Sequence, residues 1–335
     1  MTTPDALVEV RRLSKWYSAS KPIGIGAREY VRALDDVSLD IYRGEVLGLV
    51  GESGSGKTTI GRILMRLTEP TSGSIRYRGQ DITRMSRSQL RPIRKHMQLV
   101  FQDPFSSLNP RMRVERILST PLLVHEPELS GAQRRIRIDE ALRLVGLYPS
   151  AANHYPHEFS GGQRQRIGIA RALMVKPEFL VADEPVSALD VSVQAQVINL
   201  LLDLRQQLGL TILFVAHDLA VVGAISDRVA VLYLGRLIEL SDTRTLFSKP
   251  QHPYTEALLA AVPRIGAAPP KPRIVPRGDK QPFPSFSSGC NFRTRCSYAQ
   301  AACAKSVPML RPAGDGHWKA CHRDDLTLAA PIHQQ

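Results

Sequence analysis

A loop of glycines, serines and one lysine near the start of the chain has the composition of a phosphate-binding site. Residues 51–59 read GESGSGKTT, between stretches Glu45–Val50 and Thr58–Leu67, which predict a strand and a helix. Glycines let successive backbone N–H groups point at phosphate oxygens, and the helix dipole adds to the attraction. The spacing G-x-x-x-x-G-K-[ST] therefore predicts a cradle for the phosphates of Mg-ATP. Its residues are Gly51, Glu52, Ser53, Gly54, Ser55, Gly56, Lys57, Thr58 and Thr59.

Two adjacent carboxylates follow a second apolar stretch. Residues 179–184 read FLVADE, which predicts a buried strand that ends in Asp183 and Glu184. We expect Asp183 to hold Mg²⁺ through water, beside the hydroxyl of Thr58, while Lys57 neutralises the β- and γ-phosphates. Glu184 is placed to polarise the attacking water as a general base. Solvated acids at an ordinary strand end are the alternative, which the phosphate loop disfavours.

A second candidate anion site lies between these two features. Ser160, Gly161, Gly162 and Gln163 precede the residues RQRIGIARAL, which predict the start of an amphipathic helix. A serine at the N-cap, two glycines and the helix dipole favour an anion there. The string stands 20 residues before Asp183, and Asp190 and His217 follow later in the chain.

In this order the motifs closely resemble those of the ATP-binding cassette (ABC) family, over roughly the first 265 residues. The resemblance implies that Tyr17 stacks on adenine, with Trp16 as its rival. It implies that Asp190 organises a facing subunit and that His217 contacts the γ-phosphate. It also implies a catalytic set, which consists of Glu184, His217, Lys57 and Gln102. The Mg²⁺ ligands that it implies are Thr58, Gln102 and Asp183.

Family geometry implies that the chain does not work alone. In that geometry the phosphate loop of one cassette closes on the loop at Ser160–Gln163 of another, so that ATP lies between two subunits. Closure assembles the charge-stabilising groups only when the subunits meet. We therefore expect a like or related second ATPase subunit, and a hydrolytically competent site in this chain.

The order of predicted elements favours an α/β fold with a mostly parallel sheet. An Arg-rich helical stretch runs from Ser86 to about Val175. After it come strand Phe179–Ala182, helix Ser192–Leu208, strand Thr211–Ala216, helix Leu219–Ile225 and strand Arg228–Leu234. The resemblance implies a P-loop NTPase cassette at 1–265 with a RecA-like core, an N-terminal antiparallel β subdomain and an inserted helical subdomain at about 86–175.

Several stretches resemble the peptide-importer branch of the family, specifically its second ATPase. They are the residues FQDPFSSLNPR at 101–111, DEPVSALDVS at 183–192, YLGR at 233–236 and HPYTEALL at 252–259, together with a cysteine-containing tail. The resemblance implies a bacterial importer of di- or oligopeptides or a related small solute. Its expected partners are a sister ABC ATPase, two transmembrane permease subunits and a periplasmic substrate-binding protein.

The C-terminal part, 266–335, begins with a proline-rich linker at 266–284 and continues into a Cys-rich extension. Cys290, Cys296, Cys303 and Cys321 are the only cysteines of the chain. Such clustering in a cytosolic chain favours a bound metal over disulfides. Four thiolates suit either Zn²⁺ or a [4Fe–4S] cluster, and the resemblance favours the cluster; four free thiols are the least favoured alternative. His317 and His322 are nearby spare ligands that we expect to be bystanders.

Charge and hydropathy limit the expected cellular location of the protein and the classes of partner that it binds. The formal net charge is +13, yet no nucleic-acid-binding module is recognisable, so we expect no nucleic acid partner. No apolar run is long enough to cross a bilayer, and no signal pattern opens the chain. We expect a peripheral protein on the cytoplasmic face of the inner membrane. The alternatives are a soluble cassette ATPase acting on ribosomes or nucleic acid, and an exporter ATPase.

Overall fold

Interleaved stretches of sequence build two units, which are seen in a computed structural model that describes residues 5–18, 30–103, 107–262 and 288–328. The first unit comprises Met1–Leu7, Ile41–Val46 and Arg84–Val215, and the second comprises Val8–Asp40, Leu47–Thr83 and Ala216–Gln335. The proline-rich linker predicted at 266–284 lies outside the described residues. The domain limits predicted from the sequence, at 265 and at about 86–175, stay a prediction.

Strands and helices alternate along most of the described chain. The strands are β1 (Ala6–Ser18), β2 (Tyr30–Tyr42), β3 (Val46–Val50), β4 (Ser72–Tyr77), β5 (Gln80–Asp81), β6 (Met97–Val100), β7 (Phe179–Asp183), β8 (Thr211–Val215), β9 (Arg228–Tyr233), β10 (Arg236–Asp242), β11 (Arg311–Gly314) and β12 (His317–Lys319). The helices are α1 (Lys57–Leu64), α2 (Arg87–Arg94), α3 (Val114–His125), α4 (Gly131–Leu144), α5 (Gly161–Leu173), α6 (Val191–Leu208), α7 (Leu219–Ile225), α8 (Thr243–Ser248), α9 (Pro253–Ala260) and α10 (Ala301–Lys305).

A parallel set of strands forms the centre of the first unit. β7 pairs with β6 on one side, with Met97 opposite Phe179, and with β8 on the other, with Asp183 opposite Val215. Every residue of β7 and β8 is buried, which explains the apolar runs FLVA in β7 and ILFV in β8. The pairing places Asp183 at the carboxyl end of the central strand of this set.

Three helices of the first unit begin with the same reciprocal cap. At the starts of α2, α4 and α5 a serine accepts a hydrogen bond from the N–H three residues later, and a glutamine there accepts one from the serine N–H. The pairs are Ser86 with Gln89, Ser130 with Gln133, and Ser160 with Gln163. Each cap satisfies two of the backbone N–H groups that a helix start leaves without partners. The predicted helix after Ser160–Gln163 is confirmed as α5.

The second unit contains an antiparallel sheet with the order β2-β1-β4-β5. β1 pairs with β4 from Val8 opposite Tyr77 to Ser14 opposite Ser72, with an irregularity before Ser14. Val8 and Val10 point to the same face of β1, and both are fully buried. The antiparallel β subdomain expected near the N-terminus is therefore present.

A second sheet of this unit brings the phosphate loop and the C-terminal tail together. β3 runs parallel to β9, with Val50 opposite Val231, and β10, β12 and β11 continue the sheet in antiparallel pairs. β12 joins β10 through Glu239 opposite Lys319 and Leu240 opposite Trp318. Sequence periodicity does not indicate β11 and β12, because strands of 4 and 3 residues carry few alternating positions.

Among the helices in the described ranges, none is both long and apolar enough to span a lipid bilayer.

Candidate nucleotide site

The phosphate loop follows a path that only glycine allows at its two ends. Gly51 has a φ of 156°, and a Cβ atom there would lie 2.2 Å from the carbonyl oxygen of Leu232. Gly56 has a φ of 103°, and its Cβ would lie 2.4 Å from the carbonyl oxygen of Ala33. Positive φ and close backbone contact both exclude larger residues. The glycines predicted to shape the cradle are therefore placed to do so.

Lys57 lies at the start of α1 with its ammonium group turned back into the loop. Its Nζ donates to the carbonyl oxygens of Gly51 at 2.7 Å and Glu52 at 3.0 Å, and the residue is only 3% exposed. Gly56 supplies the N-cap without a side-chain hydrogen bond, and no acidic residue occupies the first turn. The helix start therefore presents N–H groups and a positive charge at one place, as an anion site requires.

The remaining predicted loop residues differ in exposure. Ser53 and Gly54 are exposed at the tip, whereas Thr58 and Thr59 are half-buried on α1. Ser55 is buried, and within the described residues its hydroxyl oxygen has no hydrogen-bond partner. A hydroxyl in that position lacks the bond that a buried polar group normally makes.

Two exposed aromatic residues on β1 are candidates for stacking on the adenine. Trp16 and Tyr17 are 37% and 42% exposed, and as neighbours on a strand they point to opposite faces. The guanidinium of Arg32 lies 4.9 Å from the ring centre of Trp16, and the ammonium of Lys15 lies 5.0 Å from that of Tyr17. Each ring thus has a cation on one face, and the geometry is equivalent for the two.

His217, in the second unit, is exposed just after the end of β8.

In the first unit, a hydrogen bond joins Gln102 and Glu184, two members of the catalytic set that the resemblance implied. The amide nitrogen of Gln102 donates to a carboxylate oxygen of Glu184 at 2.8 Å. Asp183 is buried at the end of β7, whereas Glu184 is half-buried and Gln102 is exposed. One carboxylate is thus fixed inside the fold, and the next is directed by an amide that is accessible to solvent.

Glu184 has an unusual backbone. Its φ is 45°, in the left-handed region, which costs a non-glycine residue about 1 kcal/mol or more. Its N–H donates to the carbonyl oxygen of Val215 at 2.9 Å, and Ser187 donates to its carbonyl oxygen through both N–H and hydroxyl. These bonds hold the residue in a conformation that aims its side chain away from the strand.

The loop at Ser160–Gln163 is fixed by its cap and by close packing. Gly162 is buried, and a Cβ atom there would lie 2.4 Å from Cγ1 of Val193. Asp190 caps α6 by accepting hydrogen bonds from the N–H of Val193 at 3.0 Å and the hydroxyl of Ser192 at 2.7 Å. The bond from Val193, with that from Ser192, lowers the pKa of Asp190. Both motifs thus mark helix starts in the first unit.

The four cysteines lie in the second unit, on three pieces of the tail. None forms a disulfide; Cys303 and Cys321 are buried, whereas Cys290 and Cys296 are half-buried. The N–H of Cys290 donates to the carbonyl oxygen of Cys303 at 2.8 Å. Burial raises the pKa of the Cys290 thiol to about 11, and the nearness of the other three thiolates raises it as well.

Across the described ranges, which include all four cysteines, no three His, Cys, Asp or Glu side chains are arranged to hold a metal ion. The predicted ligands thus lie on neighbouring pieces of the tail, but they are not gathered into a metal site among the described residues. The two nearby histidines have other partners: His317 contacts Glu239 at 2.7 Å, and His322 contacts the carbonyl oxygen of Ser306 at 2.8 Å.

Two residues that the sequence did not single out contact the phosphate loop. The hydroxyl of Tyr254 accepts a hydrogen bond from the N–H of Glu52 at 2.9 Å. The guanidinium of Arg295 donates to both carboxylate oxygens of Glu52, at 2.9 and 3.1 Å. Both lie in stretches quoted for the family resemblance, yet no spacing rule links them to a loop some 200 residues earlier.

Comparison with known proteins covers both the cassette and the tail. Residues 34–187 match the ABC transporter family model, and residues 238–303 match that of the oligopeptide/dipeptide transporter C-terminal region. The oligopeptide transport ATP-binding protein AppF of Bacillus subtilis is 47% identical over 323 residues, which are 95% of this chain and 97% of AppF. The chain belongs to the ATP-binding subunits of ABC transporters. It is therefore an ATPase, as its motifs predicted.

Other similar proteins agree with this assignment. A Brucella ovis protein, named as a candidate peptide import ATP-binding protein, is 53% identical over 324 residues, 97% of this chain and the whole of that protein. The ATP-binding cassette MJ0796, solved as a dimer in a post-hydrolysis state with ADP and Pi, is 32% identical with a TM-score of 0.63, covering 71% of this chain and 99% of that one. The predicted cassette fold and the oligopeptide/dipeptide branch are thus confirmed.

Proposed function

We propose that this cassette drives the uptake of di- or oligopeptides, or of a related small solute, through partner permeases of a bacterial importer. The observation that carries the proposal is the presence of a cassette match and an oligopeptide/dipeptide transporter C-terminal match in one chain. Relatives named for peptide import or oligopeptide transport align with it over nearly their whole length, which supports the same cargo class.

The phosphate loop is our proposed site for the triphosphate. Lys57, already turned into the loop, would exchange its bonds to the carbonyl oxygens for bonds to the β- and γ-phosphates. The Thr58 hydroxyl would bind Mg²⁺, and Tyr17, or else Trp16, would stack on the adenine. A magnesium ion bound there neutralises the charge that develops on the transferred phosphoryl group.

Glu184 is our proposed general base, with Gln102 as the residue that orients it. The bond between their side chains fixes the carboxylate before water arrives, and Asp183 would hold Mg²⁺ through water. His217 would contact the γ-phosphate through its imidazole. The left-handed backbone of Glu184 supports this assignment, since such strain is concentrated at functional residues.

Ser160–Gln163 and Asp190 are proposed to face a second ATPase subunit rather than the nucleotide held by this chain's own loop. The similar cassette MJ0796 was solved as a dimer, which supports this arrangement. The other proposed partners are two permease subunits and a periplasmic substrate-binding protein. The chain would then lie on the cytoplasmic face of the inner membrane, as a cassette domain at 1–265 followed by the C-terminal extension at 266–335.

The cysteine segment fits a metal centre in its donors but not in its arrangement. Four unbridged thiols are suitable ligands for a [4Fe–4S] cluster or for Zn²⁺, and the main chains of Cys290 and Cys303 are joined by a hydrogen bond. We keep the cluster as the proposal, with Zn²⁺ as the alternative, and assign it no part in hydrolysis. Iron and sulfide analysis of anaerobically purified protein tests it; zinc without iron would exclude the cluster, and neither metal would exclude both.

Copurification from native membranes tests the importer proposal. We expect permease subunits and a second ATPase to accompany this chain through mild detergent extraction. Recovery with ribosomes and without permeases would favour the alternative of a soluble cassette ATPase, which none of the similar proteins described above supports.

A further inference from the structure

A carboxylate in the phosphate loop is paired with an arginine from the far end of the chain. The two oxygens of Glu52 accept hydrogen bonds from the two terminal nitrogens of Arg295, at 2.9 and 3.1 Å. This two-point geometry is the strongest form of arginine–carboxylate pairing. The side chains are 11% and 23% exposed, for Arg295 and Glu52 respectively, so water screens the pair only in part.

Arg295 is fixed in place by the tail and by an aromatic cluster. Its N–H donates to the carbonyl oxygen of Phe292, and its guanidinium also donates to the hydroxyl of Tyr233 at 3.3 Å. The rings of Tyr233, Tyr254 and Phe292 lie with centres 4.6 to 5.4 Å apart, and the guanidinium lies 5.9 Å from two of them. The arginine therefore loses little conformational freedom when it pairs with Glu52.

The main chain of Glu52 is held from the same side. Tyr254 accepts its N–H, while Lys57 donates to its carbonyl oxygen. Tyr254 from α9 and Arg295 from the C-terminal part thus contact the second residue of the loop, the first at the backbone and the second at the side chain.

Glu52 presents an electrostatic difficulty for a loop that binds a triphosphate. A carboxylate in the cradle repels the like charges of the phosphates, and the repulsion extends over several ångströms in a partly buried site. An arginine paired with both oxygens cancels most of that field. The positive charge of Arg295 therefore offsets the negative charge that Glu52 places in the phosphate loop.

We propose that Arg295 is a positioning and charge-neutralising residue of the nucleotide site, which acts on ATP through Glu52 and makes the C-terminal segment part of that site. This inference rests on the proposed placement of the triphosphate at the loop. It gives the tail a function in ATP binding that does not depend on a metal centre.

Affinities of the full-length protein for Mg-ATP, measured by calorimetry, test the proposal. Arg295→Gln removes the cation that is bonded to both carboxylate oxygens of Glu52, so we expect affinity to fall about tenfold, equivalent to about 1.4 kcal/mol. Glu52→Gln leaves the cation, so affinity should be at least that of the native protein. The double variant Glu52→Gln/Arg295→Gln should return to within about twofold of native affinity, and Arg295→Lys should recover part of the loss.

Opposite effects of the two single variants distinguish charge neutralisation from a merely structural contact, which would weaken binding in both. Arg293→Gln is the matched control: it removes the same charge two residues away, where the guanidinium donates to the carbonyl oxygen of Cys290. The proposal is wrong if Arg295→Gln binds as Arg293→Gln does, or if the double variant binds as weakly as Arg295→Gln. Lys57→Ala distinguishes a failure of the proposed ATP site from a failure of the role of Arg295. If Lys57→Ala binds ATP normally, the proposed site is wrong. If Lys57→Ala is the only variant that loses binding, the site is supported and the proposed role of Arg295 is wrong.

Discussion

Glu184 combines two features that a structural residue seldom needs. Its backbone lies in the left-handed region, and its carboxylate accepts a hydrogen bond from the side-chain amide of Gln102. That bond orients the carboxylate, which suits a base that polarises water.

At the scale of single residues, we predict the effect of Glu184→Gln on turnover and on Mg-ATP affinity. The amide keeps the shape of the side chain but cannot accept a proton, so turnover should fall by about 100-fold or more. Mg-ATP affinity should change less than about threefold, since the phosphate loop is untouched. Steady-state phosphate release and nucleotide binding measure the two quantities.

Asp203→Asn is the control for that prediction, because it neutralises an exposed carboxylate on the outer face of α6. Its turnover should match that of the native protein. Equal turnover in the Glu184 and Asp203 variants would show that Glu184 is not the base.

Residue identities in the site were predictable because each motif is short and local. The loop at 51–59 and the acids at the end of β7 are read from a few neighbouring positions, as are the SGGQ string and its cap. The contact between Arg295 and Glu52 spans 243 positions and obeys no spacing rule, so only the fold reveals it. The choice between Trp16 and Tyr17 stays open, since both are exposed on β1.

At the scale of elements, we expect the start of α5 to have two roles, one in capping the helix and one in facing another subunit. The start of α4 has the same cap, so comparison of the two helices separates these roles. Ser160 and Ser130 make the same reciprocal cap, with Gln163 and Gln133. Only the cap at α5 belongs to the motif proposed to face another subunit. The two serines therefore offer an internal control for stability against function.

We predict that Ser160→Ala and Ser130→Ala each reduce the free energy of unfolding by about 1 kcal/mol, the usual cost of a lost N-cap. Only Ser160→Ala should also lower ATPase activity in the assembled transporter. Chemical denaturation and phosphate release measure the two effects. Equal ATPase activity in the two variants would remove Ser160 from the shared site.

A buried histidine at the start of α9 predicts a dependence of stability on pH. Burial lowers the pKa of His252 to about 3, so the folded protein keeps the imidazole neutral while the unfolded chain binds a proton below about pH 6.5. Its contribution is complete above pH 6.5 and is lost as the pH falls toward 3. Between pH 7.5 and pH 5 the loss should be about 2 kcal/mol.

Urea denaturation of native protein and of His252→Asn at the two pH values tests this dependence. The variant removes the titrating group, so its stability should change less between the two pH values. An equal change in both proteins would mean that other groups account for it.

Elements with long, buried or strongly periodic sequences were predictable, and the tail was not. Four consecutive residues in each of β7 and β8 are apolar because both faces of these strands are covered. β11 and β12 are 4 and 3 residues long, too short for a period to emerge, and their pairing with β10 is a long-range contact. The clustered cysteines were interpreted as a metal site, yet among the described residues no three potential ligands are arranged to hold a metal ion.

For the whole molecule, the charge pattern agrees with the proposed partners. The net charge of +13 accompanies arginines that are engaged within the fold, such as Arg295 with Glu52 and Arg137, which donates to the carbonyl oxygen of Met174. A basic composition therefore does not by itself indicate nucleic acid. Cargo choice would reside in the permeases and the substrate-binding protein, so the chain supplies energy and not specificity.

ATP-driven peptide uptake into proteoliposomes tests the central claim most directly. The vesicles would contain this chain, its sister ATPase and both permeases, with the substrate-binding protein and a labelled peptide supplied on the side opposite to the ATPases. We predict uptake that requires Mg-ATP and is lost with Glu184→Gln, although the variant still assembles. Uptake that continues unchanged with Glu184→Gln would contradict the account of this chain as the ATP-hydrolysing motor.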